Sequence, residues 1–330
     1  MSYRSIIVTK RGGSPETLKI KVNELRTPVG KEARIKIQAT PVCQDDVAKR
    51  LGNRPFLPKT PFVPWYACLG FIDAVGEEVT GFHVGDRVAA LTTYGGYSEY
   101  IYVDMEELVA VPESLDAGEA VTLMLNYLVA YQILHRVTQV RPGETCLIIG
   151  ASGGVGTAFL QLGKLAGLRI YGTASSGKHG VLAEYGATPI DYRTQNFVEV
   201  LREAEPDGID YVFNGMDRDY NKAGMSVLRK GGILVQYGAP VSMGSLLRLL
   251  VEMVVNKIRP RGKTLELYGT HRVSIEPRRE DWTVLFKLLE ERKIKPVISD
   301  RFSLLDAAEA NSMLENGKVA GNIVLLTEMD

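Results

Sequence analysis

Two short stretches of this chain hold residue types able to do chemistry. The first is CLIIGASGGVG, residues 146–156. Apolar Cys146–Ile149 reads as a strand, and Gly150–Gly156 turns from it into a helix. Within the turn, Ala151, Gly153 and Gly156 keep the G/A-x-G-x-x-G spacing of a dinucleotide-binding loop. A bare Gly153 lets a pyrophosphate approach the backbone, and a bare Gly156 lets the helix lie close to the strand. Gly150, Ser152, Gly154 and Val155 complete the turn. The helix start offers N–H groups and a positive dipole to phosphate. The second stretch is ATPVCQDD, residues 39–46. Cysteine holds catalytic zinc when further Cys, His or carboxylate ligands join it. Asp45 and Asp46 are candidates for that work, and equally for capping a helix or facing water.

The nucleotide reading requires a helix and a second strand after the loop, and both are present. Val155, Phe159, Leu162 and Ala166 recur at helical spacing. LRIYGT then reads as the next strand. An NAD site places Asp or Glu about 20 residues after the loop, on the ribose hydroxyls. The corresponding GTASSGKHG has no acid. Ser175, Ser176 and Lys178 offer hydroxyls and a cation instead, which suit the 2′-phosphate of NADP. An ordinary polar loop with a solvated lysine is the alternative.

Elements able to position these residues follow from the apolar pattern. TCLIIG, LRIYGT, TPIDY, IDYVFN, GGILVQYG and TLELYG alternate with segments of helical length. That predicts a six-stranded parallel sheet covered by helices on both faces. The first third is β-rich, with SIIVTK, ARIKIQAT, GFIDAVG, DRVAALT and YSEYIYV split by Gly, Pro and Asp. The tail mixes helix and strand and predicts a return to the N-terminal domain, which is then discontinuous.

The chain has 330 residues, enough for two domains. A net charge of +0 gives no pull toward nucleic acid. Three cysteines form no disulfide framework, and the opening MSYRSIIVTK has too short an apolar run for a signal-peptide core. No stretch reaches membrane-spanning length. A cytoplasmic setting is expected.

Beyond the glycine loop, GFIDAVGEEVTGFHVGDRVAAL, GGYSEYIYV, LVAYQIL, GTASSGKHGVLAEYGATPIDYR and LRKGGILVQYG occur in order. With these motifs the chain resembles the medium-chain dehydrogenase/reductase superfamily, most closely its zinc-independent quinone oxidoreductase branch. The resemblance implies a GroES-like substrate domain at 1–122 and 267–330. It implies a Rossmann domain at 123–266, with NADPH between the two. It further implies a homodimer and a small hydrophobic quinone or α,β-unsaturated carbonyl as substrate. Cofactor contacts carry over to Thr173, Tyr192, Asn214, Tyr237 and Gly238, beside Ser175 and Lys178. The zinc-dependent alcohol dehydrogenases of the superfamily have a cysteine matching Cys43, then histidine and glutamate. Here Tyr66 and Ala67 stand at those two positions. Cys43 is therefore expected to be a small side chain beside the nicotinamide, and a zinc alcohol dehydrogenase is disfavoured.

The chain also departs from the quinone oxidoreductase pattern N-P-x-D-x-Y, then G-x-Y. Cys43 replaces the asparagine, Asp46 keeps the aspartate, and Ala48 and Arg54 replace the tyrosines. Arg54 cannot act as a proton donor, because it stays charged. It binds an anionic oxygen or is a solvated loop residue. Water, Tyr66 and Asp46 remain as proton sources. These losses keep a non-catalytic NADPH-binding adaptor or sensor in view. MGSLLRLLVEMVVNKI, residues 243–258, is apolar nearly all round if helical. A buried helix is the favoured reading. A substrate lid is the second, and a membrane-surface element flanked by Lys257, Arg259, Arg261 and Lys263 the third.

Overall fold

The computed structural model describes the chain except for residues 65, 93, 217–218, 259–261, 271–272 and 329–330. Its strands in chain order are β1 (Ser2–Val8), β2 (Leu18–Glu24), β3 (Glu32–Val42), β4 (Cys68–Val75), β5 (Arg87–Ala90), β6 (Tyr100–Asp104) and β7 (Leu108–Ala110), then β8 (Thr145–Ile149), β9 (Arg169–Ala174), β10 (Thr188–Asp191), β11 (Ile209–Asn214), β12 (Leu228–Gln236), β13 (Thr264–Leu267), β14 (Ile298–Ser303) and β15 (Asn322–Leu326). The chain divides into two compact units, Met1–Leu128 with Ser274–Asp330, and Val129–Val273.

The first unit is β-rich. Its main sheet runs β14-β15-β3-β4-β5-β7, with β6 also paired to β3. Strand β3 is the axis. Ala33, Ile35, Ile37 and Ala39 point to one face and are buried, as a period of two requires. The C-terminal β15 pairs antiparallel with β3, Ile323 opposite Val42. The tail thus completes the sheet that ends at Cys43.

The second unit holds a parallel sheet in the order β10-β9-β8-β11-β12-β13. Central β8 is buried along its whole length, because helices cover both faces. This is the doubly wound arrangement, in which ligands bind beyond the carboxyl ends of the strands. Phe159 of the helix after β8 stacks on Phe213 of β11, ring centroids 4.6 Å apart.

One expectation is overturned. Residues 243–258 do form a helix, but only Leu249 is buried in it. Met243, Leu247, Leu250, Val251, Val254, Val255 and Ile258 are exposed, Val251 at 61% and Ile258 at 72%. Periodicity shows that a helix is apolar, not which of its faces has a partner. Here the face with Leu249 and Met253 meets the sheet, and the opposite apolar face meets solvent. Of the basic flank, Arg259 and Arg261 lie outside the described residues. Lys263 Nζ donates to the Met225 carbonyl at 2.8 Å.

Candidate functional site

The sheet register of the second unit assembles one group of candidate residues. Ile149 of β8 lies beside Thr173 of β9 and Asn214 of β11, and Asn214 lies beside Gln236 of β12. Ala174 lies beside Asp191 of β10. Gly150, Thr173, Ser175, Tyr192, Asn214, Tyr237 and Gly238 therefore all emerge along one carboxyl edge.

The glycine turn is built at that edge. Gly150 has φ +85°, a left-handed conformation that favours glycine. Its N–H donates to Thr173 Oγ1 at 3.0 Å, and the Ala151 N–H to the Thr173 carbonyl at 3.0 Å. Thr173 is thus a brace for the turn. Gly153 caps the helix α1 (Gly154–Leu165), whose first-turn N–H groups lie outside the helical ladder. The two fingerprint glycines differ. A Cβ at Gly156 would lie 2.3 Å from the Gly150 carbonyl oxygen, so helix and strand touch there. A Cβ at Gly153 would meet only that same oxygen, at 3.6 Å, an ordinary contact. Space is kept at Gly153 for something that is not protein, as a pyrophosphate requires.

Beyond β9, the Lys178 N–H closes a turn on the Ser175 carbonyl at 2.9 Å. Lys178 is half-buried. Burial, then the nearby Arg193 charge, hold its ammonium below the usual lysine range. Arg193 also lies 5.8 Å from the exposed Tyr192 ring. Two cations and an aromatic ring converge where the NAD fingerprint would have an acid. Asn214 is placed otherwise than expected. It is 0% exposed, and its amide donates to Asn221 Oδ1 at 2.9 Å and Gln236 Oε1 at 2.7 Å. Its Oδ1 accepts from the Met216 N–H at 3.0 Å. The side chain has no surface to offer a ligand and instead fixes the turn after β11. Tyr237 packs against Phe159, and a Cβ at Gly238 would strike the Met216 carbonyl, 2.3 Å away.

The second group lies in the first unit, around the helix α2 (Gln44–Leu51). Cys43 caps its start, and the Cys43 N–H donates to Asp46 Oδ2 at 2.8 Å. The same oxygen accepts the Tyr97 hydroxyl at 3.1 Å. Gly52, with φ +83°, closes the other end. Asp46 is thus a cap, and it is buried. Burial raises its carboxyl to about 7, against the pull of the Cys43 N–H. Its Oδ1 makes no hydrogen bond among the described residues.

Arg54 is neither a solvated loop residue nor a free anion binder: its Nε donates to Asp45 Oδ1 at 2.5 Å. Asp45 Oδ2 lies 3.1 Å from Lys49 Nζ. That ammonium lies 5.3 Å from the ring centroids of both Tyr66 and Tyr94. Burial, then Asp45, pushes the Tyr66 phenol well up, so it stays protonated. Burial likewise holds Cys43 as a thiol, with Asp46 and Asp45 adding to the effect. Buried Ala67 brings only a carbonyl, which accepts the Thr40 hydroxyl at 3.0 Å. Among the described residues no three His, Cys, Asp or Glu side chains come together to hold a metal ion.

Sequence reasoning missed Lys49, Tyr94 and Tyr97. The i,i+4 spacing of Asp45 and Lys49 was the one local signal. The tyrosines come from a distant loop and are joined only by the fold.

The comparisons with known proteins agree with this architecture. Residues 30–113 match the family model described as alcohol dehydrogenase GroES-like domain, and residues 185–325 that described as zinc-binding dehydrogenase. A quinone oxidoreductase of Pseudomonas aeruginosa is 32% identical over 95% of this chain and 97% of its own length. A synaptic vesicle membrane protein VAT-1 homolog of Danio rerio is 30% identical over 99% of this chain and 70% of its own. The structure of mycobacterial Rv1454c complexed with NADPH superposes with a TM-score of 0.85 at 27% identity, covering 98% of this chain and 99% of that one. The chain belongs to the medium-chain dehydrogenase/reductase superfamily, on its quinone oxidoreductase branch. No described helix is long and apolar enough to cross a membrane.

Proposed function

We propose that this protein is an NADPH-dependent, zinc-independent reductase of quinones or α,β-unsaturated carbonyls. The observation that carries the reading is the carboxyl edge of the parallel sheet. A glycine turn keeps room at Gly153, and Lys178 with Arg193 stands where an NAD site has an acid. Gly150–Gly156 holds the pyrophosphate against the start of α1. Ser175, Lys178 and Tyr192 hold the 2′-phosphate, with Arg193 beside them. The bound cofactor supplies a hydride.

Zinc independence rests on the donor set. Cys43 is a protonated thiol capping a helix, Tyr66 is a protonated phenol, and Ala67 has no donor side chain. A conjugated acceptor is already electron-poor and needs positioning and exclusion of water more than a Lewis acid. Tyr66, a phenol that keeps its proton, is the side chain of this set able to donate a hydrogen bond to a carbonyl oxygen. Asp46 and Arg54 act by shaping α2 and by holding Asp45. The test is steady NADPH oxidation with a small naphthoquinone after dialysis against a chelator. Consumption confined to the zinc-loaded protein, or none with any quinone, enone or aldehyde, would overturn the reading.

A second reading, an NADP(H)-binding adaptor without turnover, is favoured by the exposed apolar face of the helix α3 (Met243–Ile258). The Danio rerio relative bears the name of a membrane protein. NADPH binding without oxidation by any acceptor, together with vesicle flotation lost in Val251→Glu, would favour it.

A further inference from the structure

Sulfur is spread unevenly through this molecule. The three thiols, Cys43, Cys68 and Cys146, are buried and unbridged. Oxidation follows exposure, so the exposed sulfurs are the ones to weigh. Among the described methionines these are Met1, Met216 and Met243, with Met216 at 48%. Met1 precedes β1, and Met243 opens α3. Met216 follows β11, on the carboxyl edge that carries the glycine turn.

Its place there is fixed. The Met216 N–H donates to Asn214 Oδ1 at 3.0 Å, and its carbonyl accepts from Gln236 Nε2 at 2.8 Å. Both amide side chains belong to buried residues, so the backbone cannot swing away without losing two hydrogen bonds at the core. The side chain reaches back to the start of the glycine turn. A Cβ added to Gly150 would lie 3.3 Å from Met216 Sδ and 3.5 Å from its Cγ. The thioether therefore packs on Gly150. The same Gly150 borders the space kept at Gly153. The Gly153 N–H donates to the Gly150 carbonyl at 3.2 Å, and a Gly153 Cβ would meet only that oxygen. An exposed thioether and the space for a pyrophosphate thus share one residue as a wall.

We propose that Met216 is an oxidation site that controls the dinucleotide turn: a peroxide converts its thioether to the sulfoxide, and the sulfoxide weakens binding of the cofactor's pyrophosphate. This rests on the nucleotide reading of the turn given above. A sulfur lone pair attacks one oxygen of hydrogen peroxide. The S–O bond forms as the O–O bond breaks, and the other oxygen leaves as water. Sulfur gives up two electrons and the peroxide gains them. The product is polar where the thioether was apolar. Its oxygen carries partial negative charge and has no proton to donate, so it repels a phosphate oxygen. It also needs room beside a contact that is already closed. A dithiol reverses the step, removing the oxygen as water and becoming a disulfide. Bound cofactor should in turn cover the sulfur and slow its oxidation.

The first readout uses the wild type alone. Graded hydrogen peroxide is followed by peptide mapping with mass spectrometry. Met216 should oxidise, and saturating NADP⁺, which has no hydride for the peroxide to consume, should slow it about tenfold. Met243 on α3 should keep its rate and serves as the internal control. The second readout is NADPH affinity by titration calorimetry, after catalase has removed the peroxide. Full oxidation of Met216 should weaken binding about tenfold, with the thermal unfolding midpoint unchanged. Methionine sulfoxide reductase with a dithiol should restore it. Met216→Leu, measured against its own untreated sample, should lose no affinity in peroxide. Oxidised wild type that binds NADPH as tightly as before, or that loses affinity only by unfolding, would overturn the proposal. So would Met216 oxidation that NADP⁺ does not slow, or an equal peroxide loss in Met216→Leu. A wild type that binds no NADPH before any treatment would overturn the nucleotide reading itself, and this inference with it.

Discussion

Replacing Asp46 with asparagine should stabilise the protein at neutral pH and leave it nearly unchanged in acid. The carboxyl is buried, one oxygen accepting from the Cys43 N–H and the Tyr97 hydroxyl and the other making no hydrogen bond among the described residues. Folding raises its pKa to about 7, against about 3.9 unfolded. The folded state therefore binds the proton more tightly than the unfolded state. Its contribution is fully present below about pH 4 and falls as pH rises through about 7. A shift of about three units corresponds to roughly 4 kcal/mol. Asparagine has nearly the shape of the protonated acid and accepts the same two hydrogen bonds, so it escapes the loss. Lys49 titrates in a separate window. Its pKa is lowered on folding to about 8, so its contribution grows as pH rises from about 8 toward 10.4. Urea unfolding of wild type and Asp46→Asn, followed by fluorescence between pH 4.5 and 7.5, isolates the carboxyl. The variant should gain several kcal/mol across that range. A difference that is constant with pH, or that favours the wild type at pH 7.5, would show that Asp46 is ionised at little cost and would refute the burial argument.

Gly153→Ala should keep the wild-type melting temperature and weaken NADPH binding at least tenfold, whereas Gly156→Ala should destabilise the fold itself, because its Cβ would lie 2.3 Å from a carbonyl oxygen. Calorimetric titration beside thermal unfolding separates the two. Lys178→Ala should cost roughly 1.5–3 kcal/mol of NADPH affinity, tenfold or more, and leave NADH nearly unaffected. Equal losses for both cofactors would make Lys178 a bystander. Removal of metal by chelation should change neither kcat nor KM with a quinone acceptor, and a zinc-restored rate would contradict the donor set around Cys43.

The nucleotide half of the molecule was legible because its chemistry sits in consecutive residues. A strand, a glycine turn and a helix declare themselves in CLIIGASGGVG, and alternation beyond it gives the sheet. The surroundings of Cys43 were legible only in outline. Tyr66 and Ala67 could be recognised as unfit for zinc, but the pairing of Arg54 with Asp45 requires knowing where α2 ends. The convergence of Tyr66 and Tyr94 on Lys49 requires the whole sheet. Asn214 was misread because a residue at the end of a strand can face the ligand or the interior. Only its neighbours Asn221 and Gln236 decide which. The face of α3 was beyond pattern for the same reason.

The pairing of β15 with β3 orders events during synthesis. Val42 and Ile323 are neighbours across the sheet, yet the ribosome makes them far apart in time, tens of seconds at about 5–20 residues per second. The strands of the parallel sheet are consecutive in the chain and can close in that interval. The sheet that carries Cys43 cannot. The stretch of β3 from Ala39 to Val42 waits for its β15 partner until β15 leaves the exit tunnel, and an unpaired edge invites other strands. A nascent chain stalled before Asn322 should therefore bind NADPH-like ligands while still needing a chaperone at its amino-terminal half.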